Sequence, residues 1–238
     1  MEVLAVSGLC KAYPGFALRD VSFSLAPGKI TGFIGRNGAG KTTTLKALLH
    51  FVHPDAGEIR FFGLDFDARE TEIKGRLGFA SGGAAWYPKK RLRAITAAAR
   101  RCYPHWDEGA YRGYLERFAL DEGKTPAQLS DGMKVKYALA LALSHRAELL
   151  LLDEPTSGLD PVSRAELQDI FRALAAEQGT AILFSTHITS DLEHCADEII
   201  YLKQGKVVGC GPMGEFLAAQ GGGSLEDVML RVERGSVS

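Results

Sequence analysis

Eight consecutive residues, Gly35-Arg36-Asn37-Gly38-Ala39-Gly40-Lys41-Thr42, carry the spacing G-x-x-x-x-G-K-[ST] of a phosphate-binding loop. Glycines let a backbone curl until successive N–H groups converge on an anion. Lys41 supplies a point charge for the outer phosphates, and the Thr42 hydroxyl is a ligand for Mg²⁺. A Gly-rich turn ahead of an incidental Lys-Thr needs no particular flanks; phosphate binding needs a strand before the loop and a helix after it. Ile30 to Ile34 is a short apolar stretch of strand type, and Thr43 to Leu49 has apolar residues at helical spacing. Such a helix adds the positive end of its dipole to the anion site.

A second run, Leu149-Leu150-Leu151-Leu152-Asp153-Glu154, ends a wholly apolar strand in two acids. With a phosphate loop upstream, Asp153 suits Mg²⁺, held directly or one shell removed. Glu154 projects differently and can orient or deprotonate a water for attack on a γ-phosphate. Leu129-Ser130-Asp131-Gly132-Met133 opens a helix with Ser130 as N-cap, whose unpaired N–H groups form another anion site. By itself that is only a capped helix. Ser157-Gly158-Leu159-Asp160-Pro161 follows Glu154 closely, and Ser185-Thr186-His187 ends a later strand. His187 thus sits at a strand's carboxyl end, where α/β sites lie. Tyr13 precedes the turn Pro14-Gly15, and two roles fit it equally: stacking on a bound base, or covering core from an edge strand.

Several elements position these residues. Val3 to Val6 and Val21 to Leu25 read as strands, with Pro27-Gly28 turning the chain into the strand before the phosphate loop. Glu58 to Phe62 and Leu77 to Ala80 follow as strands, the second leading into Ser81-Gly82-Gly83. From about residue 84 to 147 the pattern is helical, over Arg91 to Cys102, Gly109 to Ala119 and Asp131 to Ser144, broken by Pro104 and Pro126. The strand–helix alternation then resumes. A helix starts at Pro161 and stops at Gly179, and Thr180 to Phe184 is a strand. A short helix spans Thr189 to His194, and Ile199 to Leu202 pairs with Val207-Val208 in a hairpin. Gly221-Gly222-Gly223 reads as a hinge before a terminal helix, Leu225 to Val232.

The chain has 238 residues, 46% of them apolar, enough for one large domain and a sizeable core. A formal net charge of -1 offers no whole-chain case for nucleic acid. The longest basic cluster, Lys89-Lys90-Arg91-Leu92-Arg93, reads as a solvated face. Four scattered cysteines suit reduced thiols better than a disulfide or zinc framework. No secretory signal is visible, and no apolar run approaches the roughly 18–20 residues that span a bilayer. Any membrane role is therefore expected to run through a partner.

In the order and spacing of Tyr13, the Gly35–Thr42 loop, Leu129–Met133, Asp153-Glu154, Ser157–Pro161 and His187, the chain resembles the ATP-binding subunit of ABC transporters. The resemblance runs from Val3 to about Gly211. Tyr103-Pro104-His105-Trp106-Asp107 and Ser130–Lys134 look like a bacterial branch often encoded with ABC-2-type export permeases. It implies an α/β P-loop NTPase of ABC type: a mostly parallel central sheet, an N-terminal antiparallel β-subdomain and an inserted helical subdomain. A single ATPase domain would span residues 1–220, with the hinge and terminal helix over 221–238. ATP and Mg²⁺ are the implied cofactors. Tyr13, Gly35, Asn37, Gly38, Ala39, Gly40, Lys41, Thr42 and Thr43 would bind ATP, Tyr13 stacking on adenine. Ser130 and Gly132 would close the site from the facing subunit, and Asp160 would link the two sites. Thr42 and Asp153 would hold Mg²⁺. Glu154, His187 and Lys41 would be catalytic, Glu154 polarising the attacking water and His187 contacting the γ-phosphate.

The implied partners are an integral membrane permease and a second ATPase subunit, in a homodimer or heterodimer, with no nucleic acid. The implied place is the cytoplasmic face of the membrane. The implied function is ATP hydrolysis that powers transport, in the direction of export. A soluble ABC-type ATPase and a weakly hydrolysing regulatory subunit are the alternatives; against the first, the sequence shows neither the long coiled-coil insertion of DNA-repair members nor the paired ATPase domains of translation-associated ones. Two residues depart from the family pattern. Gly82 stands where a Gln is usual, and Asp131 where the commoner Leu-Ser-Gly-Gly-Gln has Gly. The groove beside Ser81-Gly82-Gly83, lined by Trp86 and Tyr87, is expected to dock a permease helix, with packing of these aromatics into the subdomain core as the alternative.

Overall fold

The computed structural model describes residues 2–81 and 87–234. Two sheets share the chain. The first is antiparallel, in the order β2 (Phe16–Leu25), β1 (Leu4–Tyr13), β4 (Ala56–Phe61), β5 (Leu64–Asp65). The second has the order β10 (Lys206–Pro212), β9 (Glu198–Lys203), β3 (Ile30–Ile34), β8 (Ala181–Ser185), β7 (Leu149–Asp153), β6 (Leu77–Ser81). Its strands β9, β3, β8, β7 and β6 run parallel, and β10 closes one edge antiparallel to β9. The α/β fold with an antiparallel N-terminal sheet is therefore as expected.

The four leucines of β7 explain how the layers hold together. Side chains alternate across a strand, and here both faces are apolar and both are buried. Leu150 and Leu152 join the core between the parallel sheet and its helices, while Leu149 and Leu151 join the core between the two sheets. In β8, Ile182 and Phe184 divide from Ala181 and Leu183 in the same way. A strand buried on both faces has no polar face to give period-two alternation, which is why it reads as a continuous apolar run.

Helix α1 (Lys41–Leu48) follows β3 through the phosphate loop. Helices α3 (Leu92–Ala99), α4 (Glu108–Arg117) and α5 (Asp131–Leu143) fill the span read as helical, and α6 (Pro161–Gln178) and α7 (Thr189–Cys195) follow β7 and β8. After α8 (Met213–Ala219), Gly221, Gly222 and Gly223 all take positive φ and turn the chain back. Helix α9 (Leu225–Glu233) then buries Leu225 and Val228 in the main core.

Several boundaries differ from the sequence reading. β1 and β2 are far longer than Val3–Val6 and Val21–Leu25, because they form one hairpin whose register runs from Leu4↔Leu25 to Tyr13↔Phe16. The helix expected to reach Cys102 stops at Ala99 and tightens into a 3₁₀ turn over Arg100–Cys102. The strand expected over Val207-Val208 extends to Pro212. Helix α2 (Phe66–Arg76) was not anticipated at all. Gly82, Gly83 and Trp86 lie outside the described residues. Tyr87 is 72% exposed, so it is not a core residue.

Candidate functional site

Parallel strands place their carboxyl ends at one edge of the sheet, and the chemistry-bearing residues follow those ends. Register puts Phe33 beside Ser185, Ser185 beside Asp153, and Asp153 beside Ser81. The phosphate loop leaves β3, Asp153 and Glu154 leave β7, and His187 leaves β8.

Glycine is required where the loop begins. Gly35 has φ +151°, and a Cβ there would lie 2.3 Å from the Leu202 carbonyl oxygen of β9. Gly40, the N-cap of α1, has φ +114°, and its Cβ would meet Leu18 at 2.6 Å and Phe16 at 2.8 Å. The loop is braced by Ala39 N–H donating to Arg36 O at 3.0 Å and Gly205 N–H donating to Ala39 O at 2.9 Å. Thr44 Oγ1 donates to Gly40 O at 3.0 Å. Asn37, Gly38 and Thr42 are exposed and Thr43 is half-buried, so the outer lip of the loop faces solvent.

Lys41 is buried, and its Nζ donates to Gly35 O at 2.6 Å. Burial pushes the ammonium pKa down, while the negative charges of Glu154 and Asp153 pull it up. Asp153 Oδ1 accepts from Ser185 Oγ at 3.0 Å, which leaves Oδ2 turned to the Thr42 hydroxyl at 3.5 Å. That pair supplies one hydroxyl and one carboxylate oxygen, a hard donor set. Among the described residues, no cluster of three or more His, Cys, Asp or Glu side chains is built for a metal ion. Mg²⁺ typically takes one or two protein oxygens and completes its shell with phosphates and water. Thr42 and Asp153 fit that use and no all-protein cage.

Glu154 has φ +53°, in the left-handed region that costs an ordinary side chain about 1–3 kcal/mol. Its Oε2 lies 2.7 Å from His187 Nδ1. The carboxylate and the imidazole therefore form one unit at the sheet edge, beside Lys41.

A second group of residues gathers at the start of α5. Ser130 caps this helix, its Oγ accepting from Met133 N–H at 3.2 Å. Helix geometry leaves the first N–H groups of such a helix without intrahelical acceptors. Asp131 is solvent-facing and paired with Lys134 Nζ at 2.8 Å, a hydrogen bond that holds its carboxyl below the usual range. Gly132 packs against the 157–160 turn, where a Cβ would lie 3.0 Å from Leu159 Cδ2. Asp160 is the N-cap of α6, its Oδ1 accepting from Val162 N–H and Ser163 N–H, both at 3.0 Å. Its hydrogen bonds from the Ser163 side chain and backbone keep that carboxyl below its usual range. Within its own chain Asp160 thus has a capping task.

Tyr13 ends β1 and is 42% exposed, with Lys11 Nζ 5.8 Å from its ring centroid, so its ring is partly open to solvent. Its cross-strand partner Phe16 touches the position of Gly40, which sets the hairpin tip beside the phosphate loop. Phe16 escaped the sequence reading, and Ser185 and Thr44 were placed on a strand and a helix without a role at the site. The place of Phe16 across the Pro14-Gly15 turn from Tyr13 was the one available signal.

Two cavities lie at the border of the site or beyond it. One of about 730 Å³ opens between Arg36, His187 and α9. One of about 570 Å³ is lined by Phe51, Phe66, Phe79 and Tyr103, with Phe51 and Phe79 exposed and in edge-to-face contact, ring centroids 6.5 Å apart.

Comparison with known proteins gives the following. Residues 18–157 match the family profile described as ABC transporter. The chain is 34% identical to the bacitracin transport ATP-binding protein BcrA of Bacillus licheniformis over 209 residues, 87% of this chain and 68% of that protein. It is 37% identical to the daunorubicin resistance ATP-binding protein DrrA3 of Streptomyces coeruleorubidus over 225 residues, 90% of this chain and 69% of that one. A solved structure described as the ATP-binding subunit of an ABC transporter superposes with a TM-score of 0.89 at 28% identity, covering 97% of this chain and 99% of that one.

The cap at Ser130 is testable apart from any activity. Ser130→Ala is expected to lower the unfolding free energy by about 1 kcal/mol in urea titration, and Ser130→Asn to leave it nearly unchanged. Equal losses in both variants would show that the side-chain oxygen does not cap α5.

Proposed function

The chain belongs to the ABC transporter family as an ATP-binding subunit, and from that premise we propose that it hydrolyses MgATP held between two ATPase subunits to drive export through a separate permease. ATP hydrolysis is general to this family. The observation that carries it to this chain is the Glu154–His187 unit, 2.7 Å apart, set beside the buried Lys41. Glu154 orients and deprotonates the attacking water, and His187 holds the carboxylate in place and contacts the γ-phosphate. Lys41 exchanges its carbonyl contacts for phosphate oxygens. Thr42 and Asp153 would hold Mg²⁺, which would offset the charge of the phosphates.

The Ser130 group supports a site completed by a second subunit. The exposed N-terminus of α5 offers N–H groups to the nucleotide of a facing copy, and Gly132 and the 157–160 turn form one surface with it. Asp131 spends its charge on Lys134, so its repulsion of a facing triphosphate is muted. Tyr13, exposed beside the loop, stacks on the base. The relatives named for bacitracin transport and daunorubicin resistance support export.

No helix among the described residues is long and apolar enough to cross a membrane. In this reading a separate permease supplies the path, and the chain works from the cytoplasmic face of the membrane. The groove of Phe51, Phe79 and Tyr103 is the docking surface, since exposed paired aromatics in a groove suit a helix from a partner.

Two outcomes are expected. Glu154→Gln should lower steady-state ATP turnover by about 10²–10⁴-fold while retaining ATP binding; turnover at the wild-type rate would remove Glu154 from the mechanism. Phe51→Ser should change the unfolding free energy by no more than about 0.5 kcal/mol, as a surface substitution does. It should also abolish co-purification with the permease. A variant that keeps its permease through membrane extraction would place the docking surface elsewhere.

A further inference from the structure

Two turns carry the proposed hydrolysis, one holding Glu154 after β7 and one holding His187 after β8. Glu154 occupies left-handed backbone, which a non-glycine residue keeps only when its surroundings hold it there. On one side Glu154 N–H donates to Ser185 O at 2.9 Å. On the other side the turn closes on itself, with Ser157 N–H to Glu154 O at 3.1 Å and Leu159 N–H to Thr156 O at 3.2 Å.

Thr156, at the middle of that turn, is fully buried, and its hydroxyl donates to Asp191 Oδ2 at 2.7 Å. Asp191 stands in the first turn of α7, four residues beyond His187, and is 4% exposed. Its Oδ1 accepts from Gln168 Nε2 of α6 at 3.2 Å. Its backbone N–H reaches Ile188 O at 3.2 Å, while Ile188 N–H donates to Thr186 Oγ1 at 3.0 Å, so Asp191 also closes the turn that carries His187. A carboxylate is costly to bury, and one held this deep is tolerated only with good hydrogen bonds. A hydrogen bond to a charged acceptor is about twice as strong as a neutral one. The buried carboxylate is thus a stiff strut between the two turns, 35 residues apart in sequence.

We propose that Thr156 and Asp191 are positioning residues for ATP hydrolysis: their buried hydrogen bond fixes the Glu154 turn against the His187 turn and so sets the separation of the two catalytic side chains. This rests on the hydrolysis reading above. Both residues are buried, so neither offers its side chain to a nucleotide at the surface of the site. Without the strut the Glu154 turn is free to relax toward ordinary backbone, and the carboxylate moves off the line of the attacking water. Ground-state binding, which depends on the phosphate loop, stays as it is.

The test is steady-state ATP turnover of the full chain at varied MgATP, with thermal unfolding of each variant alongside. Thr156→Val keeps the shape and removes the hydroxyl. It is expected to lower kcat roughly tenfold to a hundredfold, the range a misplacement of about 1 Å produces. KM should stay within about twofold, the pattern of an interaction felt only in the transition state. Thr156→Ser, which restores the hydroxyl, should return most of kcat. Should the Val variant not fold, Thr156→Ala removes the same hydroxyl with less apolar bulk and reads the same kcat. A hydroxyl-free variant with wild-type kcat, or a Ser variant as slow as Val, overturns the proposal. So does a loss that appears equally in KM and in folding. A wild-type chain that does not hydrolyse ATP overturns the hydrolysis reading and the proposal with it; a hydrolysing wild type matched by the Val variant overturns the proposal alone.

Discussion

The buried ammonium of Lys41 is the constraint on which the site depends. A charge removed from water must find compensation nearby. Here it comes from the Gly35 carbonyl at 2.6 Å and from the fields of Glu154 and Asp153. The compensating groups arrive on two strand ends, the Gly35 carbonyl on that of β3 and both acids on that of β7. For Lys41 to sit where it does, β3 must leave its sheet through a glycine pressed against Leu202, and β7 must deliver two acids side by side. The arrangement is a positive charge held by loop carbonyls at the start of a helix and backed by carboxylates, which suits a polyanion accompanied by Mg²⁺.

The parallel sheet makes this geometry inexpensive to build and hard to deform. β3, β8 and β7 lie side by side and are buried on both faces, so their ends cannot shift without disturbing two cores. Those strand ends, with the hydrogen bonds of the turn itself, hold Glu154 in left-handed backbone. The exposed part of the site lies outward, where Asn37, Gly38, Ser130, Asp131 and Asp160 face solvent or their own helix starts. Those groups are the ones the proposed second subunit would meet.

The chemistry was more legible in the sequence than the scaffold. The phosphate loop is contiguous, and the run of leucines before Asp153 announces a strand buried on both faces. Helix α2 was missed because its residues are mostly charged and only Phe66 and Ile73 are buried, which leaves no apolar stripe to read. The far end of β10, Gly209-Cys210-Gly211-Pro212, has the residues of a turn, and an edge strand tolerates them because one side of it needs no ladder partner. The exposure of Phe51 and Phe79 has no signal in the sequence, which does not tell an exposed aromatic from a buried one. The bond between Thr156 and Asp191 leaves no local pattern, since it joins two turns that only the neighbouring of β7 and β8 brings together.

The most direct test of the account is the affinity of the chain for ATP, measured by equilibrium titration in the presence of Mg²⁺, for wild type and for Lys41→Met. A hydrogen bond to a charged group contributes about 1.5–3 kcal/mol. Removing the ammonium from the floor of the loop should therefore weaken binding by roughly tenfold to a hundredfold, with the fold intact by circular dichroism. A Lys41→Met chain that binds ATP as tightly as wild type would contradict the claim that this buried charge organises the site.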